Sequence, residues 1–258
     1  MRYEISGTVM QTVAIDLDPG EKVYSQTHAM AWMTDGIDMD THTGGGLFAG
    51  LKRAFSGGSF FITEYTARGR GHIAFAPRFP GTILPMRLAA GQSIIARKET
   101  FLCADMGVTF DIALQQRLGA GLFAGEGFIL QRVTGPGTVF LDLSGEVIEK
   151  TLAPGERLRV HVGHIGAQEP GVATDIQMVR GFRNMIFGGE GIFLATLTGP
   201  GKVWLQSMPI MNLADEIARH LPDGSHRGHD SGIGPALGSG VAGGAIGGIL
   251  GGLLGGSE

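Results

Sequence analysis

Apolar and polar residues alternate in short runs along most of this chain. Val139, Leu141 and Leu143 alternate with Phe140 and Asp142, and Leu158, Val160 and Val162 alternate with Arg159 and His161. A period of two puts successive side chains on opposite faces of an extended backbone, so these runs predict half-buried β-strands. Turn signals punctuate them: Pro19-Gly20, Pro80-Gly81, Gly135-Pro136-Gly137, Pro154-Gly155, Pro170-Gly171 and Gly199-Pro200-Gly201. Helical periodicity enters only near the end of this region. Asn212 to Leu221 reads as one short helix, expected over 211–222, with Asn212 as N-cap, Asp215 and Glu216 in the first turn and Pro222 beyond its end.

The strand pattern is itself repeated. The stretch Gly119 to Leu143 matches Asn184 to Met208: Phe123 with Phe187, Glu126 with Glu190, Gly135-Pro136-Gly137 with Gly199-Pro200-Gly201, and Phe140 with Trp204, always 64 residues apart. The same offset carries Gly91 onto Gly155. A third, looser copy lies upstream, where Leu17-Asp18-Pro19-Gly20 stands 71 residues before Leu88-Ala89-Ala90-Gly91, the extra length falling mainly in Leu51 to Ser56. Modules are expected at 13–81, 82–145 and 146–209, making a three-repeat β body over 1–210. Many short strands with such punctuation point to sandwiches or small barrels. The predicted fold is therefore all-β: three tandem antiparallel β-sandwich modules in a pseudo-threefold arrangement.

Composition narrows the function classes. The 258 residues are 43% hydrophobic, ample for a large core, and only 17% charged, with a net charge of −4 and a pI near 6.1. Lys and Arg form no long run, so nucleic acid is not an expected partner. The single cysteine, Cys103, has no partner for an internal disulfide, and the N-terminus reads as a strand and not an export signal, which together favour the cytoplasm.

Glycine is the outlier at 45 residues. After a polar linker at 223–231, the tail at 232–258 carries Gly240, Gly244, Gly248, Gly252 and Gly256 at every fourth position, with Ile and Leu between. Wound as a helix, this glycine zipper is the small-xxx-small pattern that lets helices approach closely in lipid. In water each glycine costs about 0.8–1.0 kcal/mol relative to alanine, so lipid, a second tail or a groove on the body has to compensate. The apolar stretch Val241 to Leu254 is shorter than the ~20 residues that span a bilayer. A disordered glycine-rich tail is the competing reading.

Candidate sites are few, and each has a plainer alternative. Glu126 and Glu190 occupy equivalent turns and could meet near a common axis, although the first module has Gly58-Ser59 there and solvated turn glutamates explain both. Phe48, Phe123 and Phe187, one per module, either form an exposed apolar patch or plug a core. His161 and His164, three apart on an expected strand, should face opposite ways, and His220, His226 and His229 lie in or beside the linker, so neither group has convincing metal-ligand spacing. Cys103 lacks a local histidine partner, and neither a phosphate loop nor a dinucleotide fingerprint is present. Lys52, Arg53, Arg68 and Arg70 give the first module a modest basic character. No catalytic, metal or cofactor site is expected.

The segments GGLFAGLKRAFSGGSFF, APRFPGTILPMRL, GAGLFAGEGFILQ and GGEGIFLATLTGPGKVWLQSMP resemble the altered-inheritance-of-mitochondria type family of domain-of-unknown-function proteins, over about 1–210. The resemblance implies a fold similar to the tryptophan RNA-binding attenuation protein, with compact β-sandwich modules around a pseudo-threefold axis. Its eukaryotic members are associated with inner-membrane organisation in mitochondria, and its bacterial members lack an assigned activity. It carries no catalytic residues to this chain, and likeness to an RNA-binding ring does not transfer RNA binding. The expected function is a non-enzymatic scaffold or assembly protein. It self-associates and reaches a membrane surface or membrane protein through the tail, in which Gly244, Gly248 and Gly252 are candidate contact residues. On this reading it is a cytoplasmic homo-oligomer peripheral to the inner face of the membrane. The alternative is a small-ligand binding module with a pocket between β modules.

Overall fold

The computed structural model describes residues 1–42, 62–116, 128–178 and 193–220. Phe48, Phe123, Phe187, Glu126, Glu190, Lys52, Arg53 and the tail glycines Gly244, Gly248 and Gly252 lie outside the described residues. So do the linker and the zipper.

An N-terminal strand, β1 (Arg2–Ser6), precedes three copies of a six-strand unit. The first copy comprises β2 (Thr12–Leu17), β3 (Lys22–Gln26), β4 (Met30–Met33), β5 (Ile37–His42), β6 (Ile62–Ala67) and β7 (Gly71–Phe75). The second comprises β8 (Gly81–Leu88), β9 (Ser93–Arg97), β10 (Phe101–Asp105), β11 (Thr109–Gln116), β12 (Phe128–Thr134) and β13 (Gly137–Ser144). The third comprises β14 (Val147–Leu152), β15 (Arg157–His161), β16 (Ile165–Gln168), β17 (Ala173–Met178), β18 (Phe193–Thr198) and β19 (Gly201–Gln206). The 64-residue offset read from sequence relates the second and third copies strand by strand, down to a 3-10 turn at Lys98–Thr100 and its equivalent at Val162–His164.

The modules do not each own their sheets. Within a module the first, sixth and third strands form one antiparallel half-sheet and the second, fifth and fourth form another, and the two halves face each other across a core. The second strand of one module then pairs with the third strand of the next. This joins half-sheets into the continuous orders β5-β6-β3-β10-β13-β8 and β11-β12-β9-β16-β19-β14. At the ends, β1-β2-β7-β4 and β15-β18-β17 remain as smaller sheets. Strand pairing therefore links module one to two and two to three. Among the described residues β15 and β4, the strands that would link three to one in a closed threefold set, pair on one side only and end their sheets.

Three apolar clusters fill the three sandwiches. Val13, Ile15, Tyr65 and Phe75 centre the first, Phe110, Val133, Val139 and Leu141 the second, and Val162, Ile165, Ala195 and Leu197 the third. Each shared sheet has a core on both faces, which corrects the half-buried expectation for β13. Val139, Leu141 and Leu143 point into the second core and Phe140 into the first, all fully buried. Fully burying such a side chain contributes about 1.5–3 kcal/mol, so Phe140 fastens one module to its neighbour.

The helix, α1 (Ile210–His220), starts earlier than expected. Pro209 offers its carbonyl to the backbone N–H groups of Asn212 and Leu213, at 2.9 and 3.4 Å. Asn212 is thus a first-turn residue and not the N-cap, and the acids Asp215 and Glu216 fall beyond the first turn. No helix among the described residues is long and apolar enough to cross a membrane.

Candidate functional site

Two clefts of equivalent construction lie where adjacent modules meet. The first is lined by the turn between β2 and β3 (Leu17, Gly20, Glu21, Lys22) and the turn between β10 and β11 (Asp105, Met106, Gly107), with Met1 at its edge. The second is lined by Leu88, Gln92 and Ser93 from the same turn of module two and Glu169, Pro170 and Gly171 from the same turn of module three, together with Trp204. Each has a volume of about 360 Å³, within the range of small-molecule pockets.

The turns are built locally. Gly20 and Gly91 take φ of +85° and +77°, a left-handed conformation that glycine adopts without steric cost. Each turn is then tied by its own side chain: Glu21 Oε2 accepts from the N–H of Asp18 at 2.8 Å, and Gln92 Oε1 from the N–H of Ala89 at 3.0 Å. Across each cleft a carboxylate anchors the facing turn. Asp105 Oδ2 accepts from the N–H of Thr138 at 2.7 Å, and Glu169 Oε2 from the N–H of Lys202 at 2.9 Å. These carboxylates shape the clefts by holding backbone.

Two further side chains are fixed by hydrogen bonds close to the joints. Tyr24 donates its hydroxyl to the carbonyl of Val108 at 2.7 Å, crossing from module one to module two, and burial, with Asp105 and Cys103 nearby, drives its phenol far above the usual range. It stays neutral and serves as a fixed donor. In the second cleft Trp204 donates Nε1–H to Glu149 Oε2 at 2.9 Å, and Lys202 Nζ meets the other oxygen at 2.7 Å. These bonds from Lys202 and Trp204 lower the Glu149 carboxyl below its ordinary value.

At the other end of each joint lies a buried polar spine. Gln26, the last residue of β3, donates to the carbonyl of Phe101 and accepts from Arg78 at 2.9 Å. Asp142 is 6% exposed, its Oδ1 has no hydrogen-bond partner, and burial raises its carboxyl to about 7 against the lowering pull of Arg78. At the second joint Arg97, the last residue of β9, donates to the carbonyl of Gly163 at 3.1 Å, as does Gln206 at 2.7 Å. Gln206 stands where Asp142 does one module earlier. It satisfies its amide oxygen with the N–H of Ser144 at 3.0 Å, which the carboxylate does not reproduce.

The expectation that His161 and His164 face opposite ways is overturned. His161 and His164 stack edge to face with ring centroids 6.0 Å apart, because the 3-10 turn at Val162–His164 ends the strand and swings the second ring back. His164 Nδ1 lies 2.8 Å from the carbonyl of Gln206, while burial, His164 and Arg97 lower the His161 imidazole. No group of three potential metal ligands occurs among the described residues. Arg68 and Arg70 pair with Asp38 and Asp18, both at 3.2 Å, so neither is an unbalanced cation. Cys103 is fully buried at the first joint, opposite Ser25.

The sequence reading missed the joint residues Tyr24, Asp105, Asp142 and Glu169. Only Asp142 carried a local signal, as an acid inside the apolar run Val139 to Leu143.

A family model described as mitochondrial biogenesis AIM24 matches residues 3–208. An uncharacterised protein of Streptococcus pyogenes serotype M6 is 30% identical over 235 residues, covering 88% of this chain and 93% of its own length. A crystal structure of another Streptococcus pyogenes protein superposes with a TM-score of 0.69 at 28% identity, over 85% of this chain and 99% of that one.

Proposed function

The chain belongs to the AIM24 family, and we propose that it works as a non-enzymatic assembly protein, associating with copies of itself through the open sheet edges of the β body and reaching a membrane through its tail. One observation carries the self-assembly reading. The joining strands used inside the chain are buried almost throughout, from Val23 to Gln26 in β3, Ile94 to Arg97 in β9 and Phe101 to Ala104 in β10. The same two strand types at the ends are not: in β4 Ala31 and Trp32 are exposed, and in β15 Arg157 and Arg159. An unpaired strand edge with exposed apolar side chains is a template for pairing. Sedimentation of the full chain across a wide concentration range tests the reading, with concentration-dependent association expected and a monomer throughout contradicting it. Flotation with vesicles, with and without 231–258, tests the tail's part. Equal flotation of both forms removes the tail from the account.

The twin clefts favour a second reading, a small-ligand binding module. Two sites of matched volume and backbone construction, one per joint, suit a ligand held at module boundaries. Native mass spectrometry of freshly isolated protein tests this, with up to two equivalents of a bound species expected. Repeated spectra at the bare chain mass contradict it.

A further inference from the structure

We propose that β15 of one copy pairs with β4 of a second copy, head to tail, in the register already used twice inside the chain; this identifies the contact behind the self-assembly reading and rests on it. At the first joint Cys103 lies opposite Ser25 and Ala104 opposite Tyr24, and at the second Ala167 lies opposite Ala96 and Gln168 opposite Ile95. Carrying the module offsets of 64 and 71 residues through both joints puts Trp32 opposite Val160 and Met33 opposite Arg159.

The side chains fit this joint. At each internal joint an aromatic and a small residue, paired across the third and sixth strands of a module, plug the core of the module before it. Cys103 pairs with Phe140, which enters the first core, and Ala167 pairs with Trp204, both of which enter the second. The first module carries the same large and small pair with the strands exchanged: Trp32 on β4 pairs with Ala74 on β7. Trp32 is 49% exposed where Cys103 and Ala167 are fully buried. The matching socket is the end of the third core at β15, where Leu158 is half-buried while its equivalents Val23 and Ile94 are buried.

Charge and cleft geometry agree. The same offsets would build a third cleft from Glu156 and Arg157 of one copy and Thr34, Asp35 and Gly36 of the next. That sets the exposed cation Arg157 against the exposed acid Asp35, where the internal clefts have Lys22 with Met106 and Ser93 with Pro170. The last residue of the joining strand, Gln26 or Arg97, bonds across each internal joint. His161 holds that place on β15. The contact is heterologous, so it builds a ring if the rotation closes and a filament if it does not.

The test uses full-length protein carrying Cys103→Ala. Met33→Cys and Arg159→Cys are made separately and mixed under mild oxidation, since directly opposed antiparallel residues fall within disulfide range. A disulfide-linked dimer is expected in the mixture and not in either variant alone. Trp32→Ala, checked for an unchanged fold by its melting curve, should weaken association at least about tenfold, as loss of a central tryptophan does. Asp35→Arg and Arg157→Glu should each weaken it about twofold to fivefold, and mixing the two variants should restore it between them. Concentration-dependent association with no mixed disulfide and no response to these variants overturns this joint and leaves self-assembly standing through another surface. A monomer at every concentration ends both. A chain carrying Met33→Cys and Arg159→Cys together that bridges internally at high dilution overturns the second copy, because the chain would then close on itself.

Discussion

Asp105 holds Thr138 by a 2.7 Å hydrogen bond from the backbone N–H of Thr138 to Asp105 Oδ2, bridging two strand ends 33 residues apart. One module later Glu169 does the same for Lys202, with a carboxylate one methylene longer. A charged acceptor on a backbone donor contributes about 1.5–3 kcal/mol. Asp105→Ala should therefore lower the melting temperature by several degrees and Asp105→Asn, which keeps an acceptor, by less. Equal melting of the alanine variant and the parent would show that the bond does not hold the turn.

Burial sets the behaviour of Asp142. Its folded-state pKa of about 7 lies above the ordinary 3.8, so the folded protein binds its proton more tightly than the unfolded chain does. This contribution to stability is complete below about pH 4 and is lost as the pH rises through 7. The Asp142→Asn variant removes the titration. It should be more stable than the parent at pH 8, where the parent buries a carboxylate charge and the variant does not, and the gap should close toward pH 5. Thermal melts of both proteins across that range check it, and a gap independent of pH would contradict the assignment.

Cys103 is fully buried, and burial followed by the charge of Asp105 pushes its thiol well above its ordinary value. Only the thiolate attacks a thiol reagent. The native protein should leave Cys103 unmodified over hours and release one equivalent on unfolding. Rapid labelling without denaturant would mean that the first joint opens.

Gly91 makes its turn at φ +77° with open space where a Cβ would stand. Gly91→Ala then tests backbone conformation alone, and about 1–2 kcal/mol of destabilisation is expected. Chemical denaturation measures it, and an unchanged midpoint would place that turn outside the cooperative fold.

Much of this was legible in sequence because it is local. Alternation in Leu158 to Val160, the positive-φ glycines at 20, 91 and 155, and the offset linking Phe140 to Trp204 all follow from short-range steric and hydrophobic rules. Reading failed where two faces of one strand are covered by different modules. Phe140 and Asp142 occupy the positions that alternation assigns to solvent, and the sheet shared between modules buries them both. The histidine pair was misread for a related reason, since one 3-10 turn changes which way a side chain points without changing the spacing.

The chain by itself determined an all-β body and the residues that turn between strands, because backbone sterics and the two-residue period act over a few residues at a time. Tertiary structure alone decided that neighbouring modules share sheets, that Tyr24 and Asp105 meet across a joint, and that β4 and β15 each pair on one side only among the described residues. Those outcomes depend on which distant backbones exchange hydrogen bonds, a choice that no local pattern encodes.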